Sequence, residues 1–182
     1  MARSTRLYDA EVPAEVSSRH SLEIGGLSCK ETLIALRLLA LGRLDLAFIG
    51  GDKLEELALS HYLAGYNAIA SVPIDCRLAL SGLASNMAAL REKLVSKETL
   101  RVVTSYPMLL GQFAARRSYN LDCELVVDGS CEASVRRGRV DLAYDIVASG
   151  KTNDANELEV VTVDRSVALQ VLDQATLMYN EA

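Results

Sequence analysis

The same short pattern occurs twice in this chain and limits the folds that it can adopt. Gly42-Arg43 and Gly138-Arg139 each precede an apolar run that contains Asp-Leu-Ala. Each run then breaks into small residues, at GGD in the first copy and at ASGKTND in the second. A glycine after a helical pattern marks a helix end, and such an apolar run is typical of a buried strand. The sequence therefore predicts two copies of one helix–strand–loop unit.

The segments around the two copies alternate between strand and helix patterns. Strands are predicted at residues 21–27, 43–50, 67–82, 100–107, 121–130, 139–147 and 157–171. Helices are predicted at residues 28–41, 50–65, 85–95, 107–118, 131–138 and 172–182. Pro73 indicates an edge or a bend in the third strand. Strands and helices that alternate with short links predict an α/β fold with mostly parallel sheets.

The repeat predicts two similar lobes, since each copy supplies its own helix, strand and loop. We assign residues 1–72 and 158–182 to the first lobe and residues 73–157 to the second. Lobes of this kind face each other across a cleft, where ligands bind at the carboxyl ends of strands. The loops that follow the two repeated strands are therefore the candidate ligand-binding segments.

Charge and composition exclude several classes of function. The net charge is −5, which argues against a general nucleic-acid surface, although backbone amides can still bind one phosphate. The four cysteines form no CxxC pair and only two histidines occur, so we predict free thiols and no metal site. The first residues lack the apolar core of a signal peptide, and no apolar run is long enough to cross a membrane. We therefore expect a cytoplasmic protein without membrane or nucleic-acid partners.

The second copy of the repeat ends in a loop with the composition of a phosphate-binding site. Small residues between a strand and a helix present several backbone N–H groups toward one point. Asp145, near the strand end, is placed to accept hydrogen bonds from sugar hydroxyls. The loop fits neither G-x-x-x-x-G-K-[ST] nor G-x-G-x-x-G, so an ordinary turn with a solvated tip is an equal alternative. The loop residues are Ala148, Ser149, Gly150, Lys151 and Thr152.

Two further loops carry weaker signals. Gly129 and Ser130 follow a predicted strand, and Glu132 stands in the first turn of the next helix. This arrangement suits an anion-binding turn, and it suits a capped helix start equally well. Gly50 and Asp52, in the first copy of the repeat, are open to the same two interpretations, of which helix capping is favoured.

Taken in order, these segments resemble the catalytic chain of ATP phosphoribosyltransferase. The family motif D-[IL]-V-x-[ST]-G-x-T-L-x-x-N is similar to DIVASGKTNDAN at residues 145–156, where Asn153 replaces the usual leucine. The family's T-x-Y-P is similar to TSYP at residues 104–107, and its G-S-x-E to GSCE at residues 129–132. The resemblance extends over residues 44–163, and its longest motif is the most specific part.

The resemblance implies a two-lobed fold like that of the periplasmic binding proteins, and the first reaction of histidine biosynthesis. In that reaction ATP and phosphoribosyl pyrophosphate (PRPP), carried with Mg²⁺, condense to N1-phosphoribosyl-ATP and pyrophosphate. The implied PRPP-binding residues are Asp145, Ala148, Ser149, Gly150, Lys151 and Thr152. The implied ATP-binding residues are Gly50, Asp52, Ser105, Tyr106 and Glu132. No covalent nucleophile is implied, because the reaction depends on positioning and on neutralising the leaving pyrophosphate.

The chain resembles the short form of the family. No residues match the family's first strand with its glycine-bearing basic loop, or the regulatory domain of the long form. The short form implies a separate regulatory subunit similar to a histidyl-tRNA synthetase, and hence a homo- or hetero-oligomer. The alternative is a catalytically incomplete relative that serves as a phosphate-binding, nucleotide-binding or regulatory protein.

Overall fold

The computed structural model describes residues 32–125 and 130–178 of the chain. The strand predicted at residues 21–27, the first residues of the helix predicted from residue 28, and Gly129 lie outside the described residues. Within the two ranges, no helix is long and apolar enough to span a bilayer. The segments that follow both repeated strands fall inside them.

Helices and strands alternate along the described chain, which confirms the predicted α/β class. The helices are α1 (Thr32–Ala40), α2 (Gly51–Leu59), α3 (Met87–Ser96), α4 (Pro107–Arg117), α5 (Cys131–Arg136) and α6 (Lys151–Ala155). The strands are β1 (Ala47–Gly50), β2 (Gly65–Tyr66), β3 (Ala70–Leu83), β4 (Leu100–Thr104), β5 (Leu121–Leu125), β6 (Leu142–Val147), β7 (Leu158–Leu172) and β8 (Leu177–Met178).

The helix predicted at residues 172–182 is wrong over its described part. β7 continues to Leu172, and a 3₁₀ turn at Gln174–Thr176 leads into β8. The Asp173 carboxylate accepts the Thr176 N–H at 3.1 Å, and the Thr176 hydroxyl accepts the Asp173 N–H at 3.0 Å. This reciprocal capping closes the turn, and β8 then pairs with β2. Tertiary pairing thus overrides a weak helical preference.

The central sheet has six strands in the order β1-β7-β3-β6-β4-β5. β4 pairs in parallel with both β5 and β6, as strands joined by helices do. β3 and β7 pair antiparallel with each other and with their outer neighbours β6 and β1. The sheet is therefore mixed, and its parallel pairing lies in the β6-β4-β5 part.

Two long strands connect the two ends of the sheet. β3 has 14 residues and β7 has 15, and the pairing between them reaches from one end of β3 to the other. Their register shifts between Pro73 and Cys76, beside the proline for which an edge or a bend was predicted. The predicted lobe boundaries at residues 73 and 158 fall within β3 and at the start of β7. The division into lobes itself stays a prediction.

Helices cover both faces of the β3-β6-β4 region. Val102 and Leu142 face a cluster built with α3 and α4. Val103 and Ala143, the next residue in each strand, face a second cluster that includes α5, because successive side chains point to opposite faces. A third cluster joins α1, α2 and β1. The strands β1, β4 and β6 thus belong to a packed core, and the segments that follow them start from fixed positions.

The repeated Gly-Arg pair ends a helix in the same way in both copies. Gly42 has a φ of +63° and Gly138 a φ of +68°. The Gly42 N–H donates to the Leu39 carbonyl and the Arg43 N–H to that of Leu38, and the same two bonds recur around Gly138. This Schellman pattern requires a left-handed residue, which favours glycine. The helix end and the strand of the predicted unit thus recur in both copies, but the loop does not: β1 ends at Gly50 and α2 begins at Gly51, whereas residues 148–150 separate β6 from α6.

Candidate functional site

The loop after β6 leaves open space beside Gly150. Residues 148–150 bend away from the carboxyl end of β6, and Gly150 caps α6 with a φ of +75° and a ψ of −9°. A Cβ at Gly150 would meet no atom of the described residues within 4 Å. Ser149, Lys151 and Thr152 are exposed, and Ala148 is half-buried. The loop can therefore admit a ligand close to its backbone, as a phosphate cradle requires.

Asp145 belongs to a chain of hydrogen bonds that links three elements. Its carboxylate accepts the Ile146 N–H at 2.8 Å and the thiol of Cys131. The Ser105 hydroxyl donates in turn to the Cys131 sulfur. The structure therefore brings Ser105, predicted for ATP, into one network with Asp145, predicted for PRPP.

Burial controls the protonation of this network. It raises the pKa of the Asp145 carboxyl; the bonds from Ile146 and Cys131 and the Lys53 ammonium oppose the rise, while Glu132 adds to it. Burial and the neighbouring Asp145 carboxylate also raise the pKa of the Cys131 thiol. Cys131 is therefore a neutral hydrogen-bond donor at neutral pH rather than a thiolate nucleophile.

Asp145→Asn is expected to raise the free energy of unfolding at neutral pH. A carboxyl whose folded pKa is raised stabilises the fold only while protonated, and that contribution is lost as the pH rises through the folded pKa. Asparagine carries no charge and keeps an acceptor oxygen for the Ile146 N–H. The gain in the free energy of unfolding should shrink as the pH falls toward about 3.9, the pKa of an aspartic acid side chain in an unfolded peptide.

Urea titrations at neutral pH and at a pH of about 3.9 measure the free energy of unfolding of the variant and of the wild type. Asp122→Asn, at an exposed position on β5, is the control and should change the stability at neither pH. An Asp145→Asn variant less stable than the wild type at neutral pH would contradict the prediction.

Tyr106, which the resemblance implied for ATP, is packed inside the chain. Its side chain is 3% exposed, and the Lys53 ammonium lies 3.7 Å from the centroid of its ring, a cation–π contact. The Thr104 hydroxyl accepts the Tyr106 N–H at 2.8 Å and donates to the Tyr144 carbonyl at 2.7 Å. Ser105, between the two, is exposed. A ligand at this turn can therefore contact Ser105 more readily than the Tyr106 ring.

Gly50 and Asp52 lie where β1 ends and α2 begins. Asp52 is 6% exposed, and its Oδ1 atom fills the place that a Cβ at Gly50 would take. Close approach to this carboxylate thus explains the glycine.

The predicted ATP residues do not all lie together. β7 and β3 stand between β1 and β6 in the sheet, so Gly50 and Asp52 lie at a different strand end from Asp145. Glu132, by contrast, acts on Asp145 through its charge. The assignment of these residues to ATP stays a prediction.

Glu56 of α2 occupies the N-terminus of α4. It is 8% exposed, and its carboxylate accepts the Met108 and Leu109 N–H groups, each at 2.9 Å. The first N–H groups of a helix have no partner within the helix, and the helix dipole favours a negative charge beside them. Glu56 therefore joins α2 to the helix that the TSYP segment begins.

A second charged network lies beside this contact. Arg165 of β7 donates to both carboxylate oxygens of Glu55, each at 2.7 Å, and to Asp164 at 3.1 Å. Asp164 also accepts from Arg116 at 2.7 Å and from the Tyr144 hydroxyl at 2.6 Å. Sequence reasoning missed Glu55, Glu56 and these partners. The Glu56–Met108 and Glu55–Arg165 partners are 52 and 110 residues apart, and no local pattern marks such pairs.

The architecture is that of two-lobed α/β binding proteins. The probable amino-acid ABC transporter extracellular-binding protein ytmK of Bacillus subtilis is 14% identical with a TM-score of 0.55, over 91% of this chain and 71% of that one. The BvgS VFT2 domain of Bordetella pertussis is 10% identical with a TM-score of 0.55, over 86% and 65%. The predicted periplasmic-binding-protein-like fold is confirmed.

The family follows from a second comparison. A chain of the ATP phosphoribosyl transferase (HisG:HisZ) complex from Thermotoga maritima is 20% identical with a TM-score of 0.57. The match covers 79% of this chain and 63% of the Thermotoga chain, so this chain spans less than two thirds of that length. The family description HisG, ATP phosphoribosyltransferase, matches residues 35–181. The chain belongs to the ATP phosphoribosyltransferase family, as its motifs predicted.

Proposed function

We propose that the chain binds PRPP and transfers its phosphoribosyl group to ATP, the first step of histidine biosynthesis. The N1 nitrogen of adenine forms a bond to the anomeric carbon of the ribose, and the bond from that carbon to pyrophosphate breaks. The electron pair of the broken bond leaves with pyrophosphate. The observation that carries this proposal is the open Gly150 loop at the carboxyl end of β6, in a chain of this family.

The loop is assigned to the 5′-phosphate of PRPP. The left-handed backbone at Gly150 lets the phosphate approach the amides of Ala148 to Thr152, and no Cβ stands in its way. The hydroxyls of Ser149 and Thr152 are exposed and can donate, and the Lys151 ammonium is exposed and can supply charge. Backbone amides, hydroxyls and one cation together form an anion site without an extended basic surface.

Asp145 is assigned to the ribose hydroxyls. Its carboxylate is oriented by the Ile146 N–H and the Cys131 thiol, so that a sugar hydroxyl meets an acceptor already in place. Lys53, whose charge acts on Asp145, is assigned to counter the negative charge that develops as pyrophosphate leaves. This chemistry requires positioned charges rather than a covalent intermediate.

Mg²⁺ belongs to the substrate in this proposal. In the part of the chain that the structure describes, no three His, Cys, Asp or Glu side chains form a group that could hold a metal ion. We therefore assign the ion to the PRPP pyrophosphate, where it would neutralise charge. No step is assigned to a protein-bound metal.

One observation favours the alternative of a protein that binds phosphate without turnover. The Tyr106 ring is buried beneath Lys53, and Glu56 occupies the first N–H groups of α4. The TSYP segment thus offers ATP the exposed Ser105 rather than a free ring or helix end. ATP binding would then need contacts beyond this segment or a different arrangement of α2.

Titration calorimetry with PRPP and Mg²⁺, followed by an absorbance assay after ATP is added, tests the proposal. We expect a binding isotherm for PRPP and then formation of N1-phosphoribosyl-ATP. Binding without turnover would favour the alternative. A chain that shows no PRPP binding at all would contradict both, because both depend on the loop.

A regulatory subunit is proposed as a partner. The Thermotoga relative was solved as a HisG:HisZ complex, which supports a second subunit for this chain as well. In the same assay, full turnover by the isolated chain would argue against dependence on a partner.

A further inference from the structure

The short helix α6 is held by one buried side chain. Of its five residues, all of them described, Asn153 alone is buried, with 6% exposure. Its Nδ2 atom donates to the Ser81 hydroxyl at 3.0 Å. Ser81 is 3% exposed and lies within β3, paired with Ala143 of β6 and Val160 of β7. The pair thus fastens α6 to the middle of the sheet.

The other polar contacts of α6 are exposed to water. The Asn156 side chain donates to the Thr152 carbonyl at 2.8 Å, and Arg136 donates to the Ala155 carbonyl at 3.0 Å. A helix of five residues has too few internal bonds to persist alone, and exposed bonds are weakened by competition from water. The orientation of α6 therefore depends mainly on the bond between Asn153 and Ser81.

We propose that Asn153 is a positioning residue for the PRPP loop and that it acts through Ser81. This inference rests on the proposed function of residues 148–152. Asn153 follows Thr152 directly, and the Asp154 N–H donates to the Gly150 carbonyl at 2.9 Å. Fixing Asn153 therefore restrains the carbonyl of Gly150 and the backbone of Thr152.

An asparagine at this position can hold the helix in a way that a leucine cannot. The family motif has leucine here, and a leucine side chain has no polar atom, so it can make apolar contacts only. A hydrogen bond has a preferred length and angle, whereas apolar contact is non-directional. The buried pair thus restrains the rotation of α6 about its own axis, which decides where the backbone amides of the loop point.

Three variants test the proposal: Ser81→Ala, Asn153→Leu, and the double variant. Ser81→Ala leaves the Asn153 amide buried without its partner, and Asn153→Leu does the same to the Ser81 hydroxyl. We expect each single variant to raise the Kd for PRPP roughly tenfold, the size of one buried hydrogen bond. Hydrogen exchange at residues 148–156 should become faster in parallel. The double variant, which has an apolar pair, should recover much of the affinity.

The control is a second hydrogen-bonded pair of an asparagine and a hydroxyl, which is exposed and lies beside the edge strand β5. Asn120 Nδ2 donates to Thr99 Oγ1 at 2.6 Å, just before β4 and β5 begin. Asn120→Leu should leave both the Kd and the exchange of residues 148–156 unchanged. Melting temperatures of all variants separate a general loss of stability from a local one.

Two results would overturn the inference. The first is unchanged exchange at residues 148–156 in both single variants, whether or not PRPP binds. The second is a lower melting temperature with an unchanged Kd, which would make the pair merely structural. If the wild type binds no PRPP, the proposed function fails, and the exchange measurement alone decides whether Asn153 holds the loop.

Discussion

Gly150→Asp is expected to abolish PRPP binding, with a Kd raised roughly 100-fold or more. The new carboxylate would stand in the open space of the loop, where the 5′-phosphate is proposed to bind. Two like charges about 5 Å apart repel by roughly 3 kcal/mol at an effective dielectric constant of about 20, and 1.4 kcal/mol corresponds to about tenfold in Kd. Calorimetric titration with PRPP and Mg²⁺ measures the effect.

Gly150→Asn is the matched control. Asparagine has the same size as aspartate, and both tolerate the left-handed backbone that Gly150 adopts at φ +75° better than other residues do. The backbone cost is therefore similar, and the charge differs. We expect Asn to weaken PRPP binding by roughly tenfold at most. Equal losses in the two variants would attribute the effect to the backbone, and unchanged binding in both would exclude the loop from the site.

Glu56→Ala is expected to lower the free energy of unfolding by about 2–4 kcal/mol. The substitution removes a charged acceptor from two N–H groups at the start of α4, one of which belongs to the fully buried Leu109. These donors would then lack a partner where water has little access. For a chain of this length, the melting temperature should fall by roughly 5–15 °C. Urea unfolding gives the free energy directly.

Two further variants separate charge from contact. Glu56→Gln keeps one carbonyl acceptor but places an NH₂ group against the other N–H donor, so about half of the loss is expected. Glu92→Ala, at an exposed position in α3, removes a helical glutamate without such a role and should change the stability by less than about 0.5 kcal/mol. A Glu56→Ala chain as stable as the Glu92→Ala chain would contradict the assigned role.

The parts of the fold that depend on neighbouring residues could be predicted. Gly42 and Gly138 mark helix ends because a left-handed residue is needed there, and the need is visible in the sequence itself. Pro107 begins α4, where the missing N–H costs nothing. The 145–156 motif located the loop after β6 correctly, because its residues are continuous in the chain.

The rest depends on contacts between distant residues. The burial of Tyr106 follows from Lys53 and from the bonds of Thr104, and no periodicity near residue 106 indicates it. Glu56 accepts hydrogen bonds from the start of α4, which lies 52 residues further along the chain, so no local pattern indicates this role. The final helix was predicted from local propensity, whereas pairing between β8 and β2 decided the outcome. In the sequence, Asn153 is visible only as a departure from the family motif. The contact that accounts for an asparagine there is its hydrogen bond to Ser81, which is 72 residues away in the chain.

The place of β7 in the sheet has a consequence for the order in which the chain folds during synthesis. β1 pairs with β7 from Ala47 opposite Leu172, and β3 pairs with β7 along its length. Within the described sheet, β1 therefore has no strand partner until β7 is made, whereas β3 can already pair with β6 and β4 can pair with β5 and β6. Such distant pairings slow folding and leave strand edges exposed on the ribosome. The part with the loop of residues 148–152 can thus form first, and β7 then completes the sheet by pairing between β3 and β1.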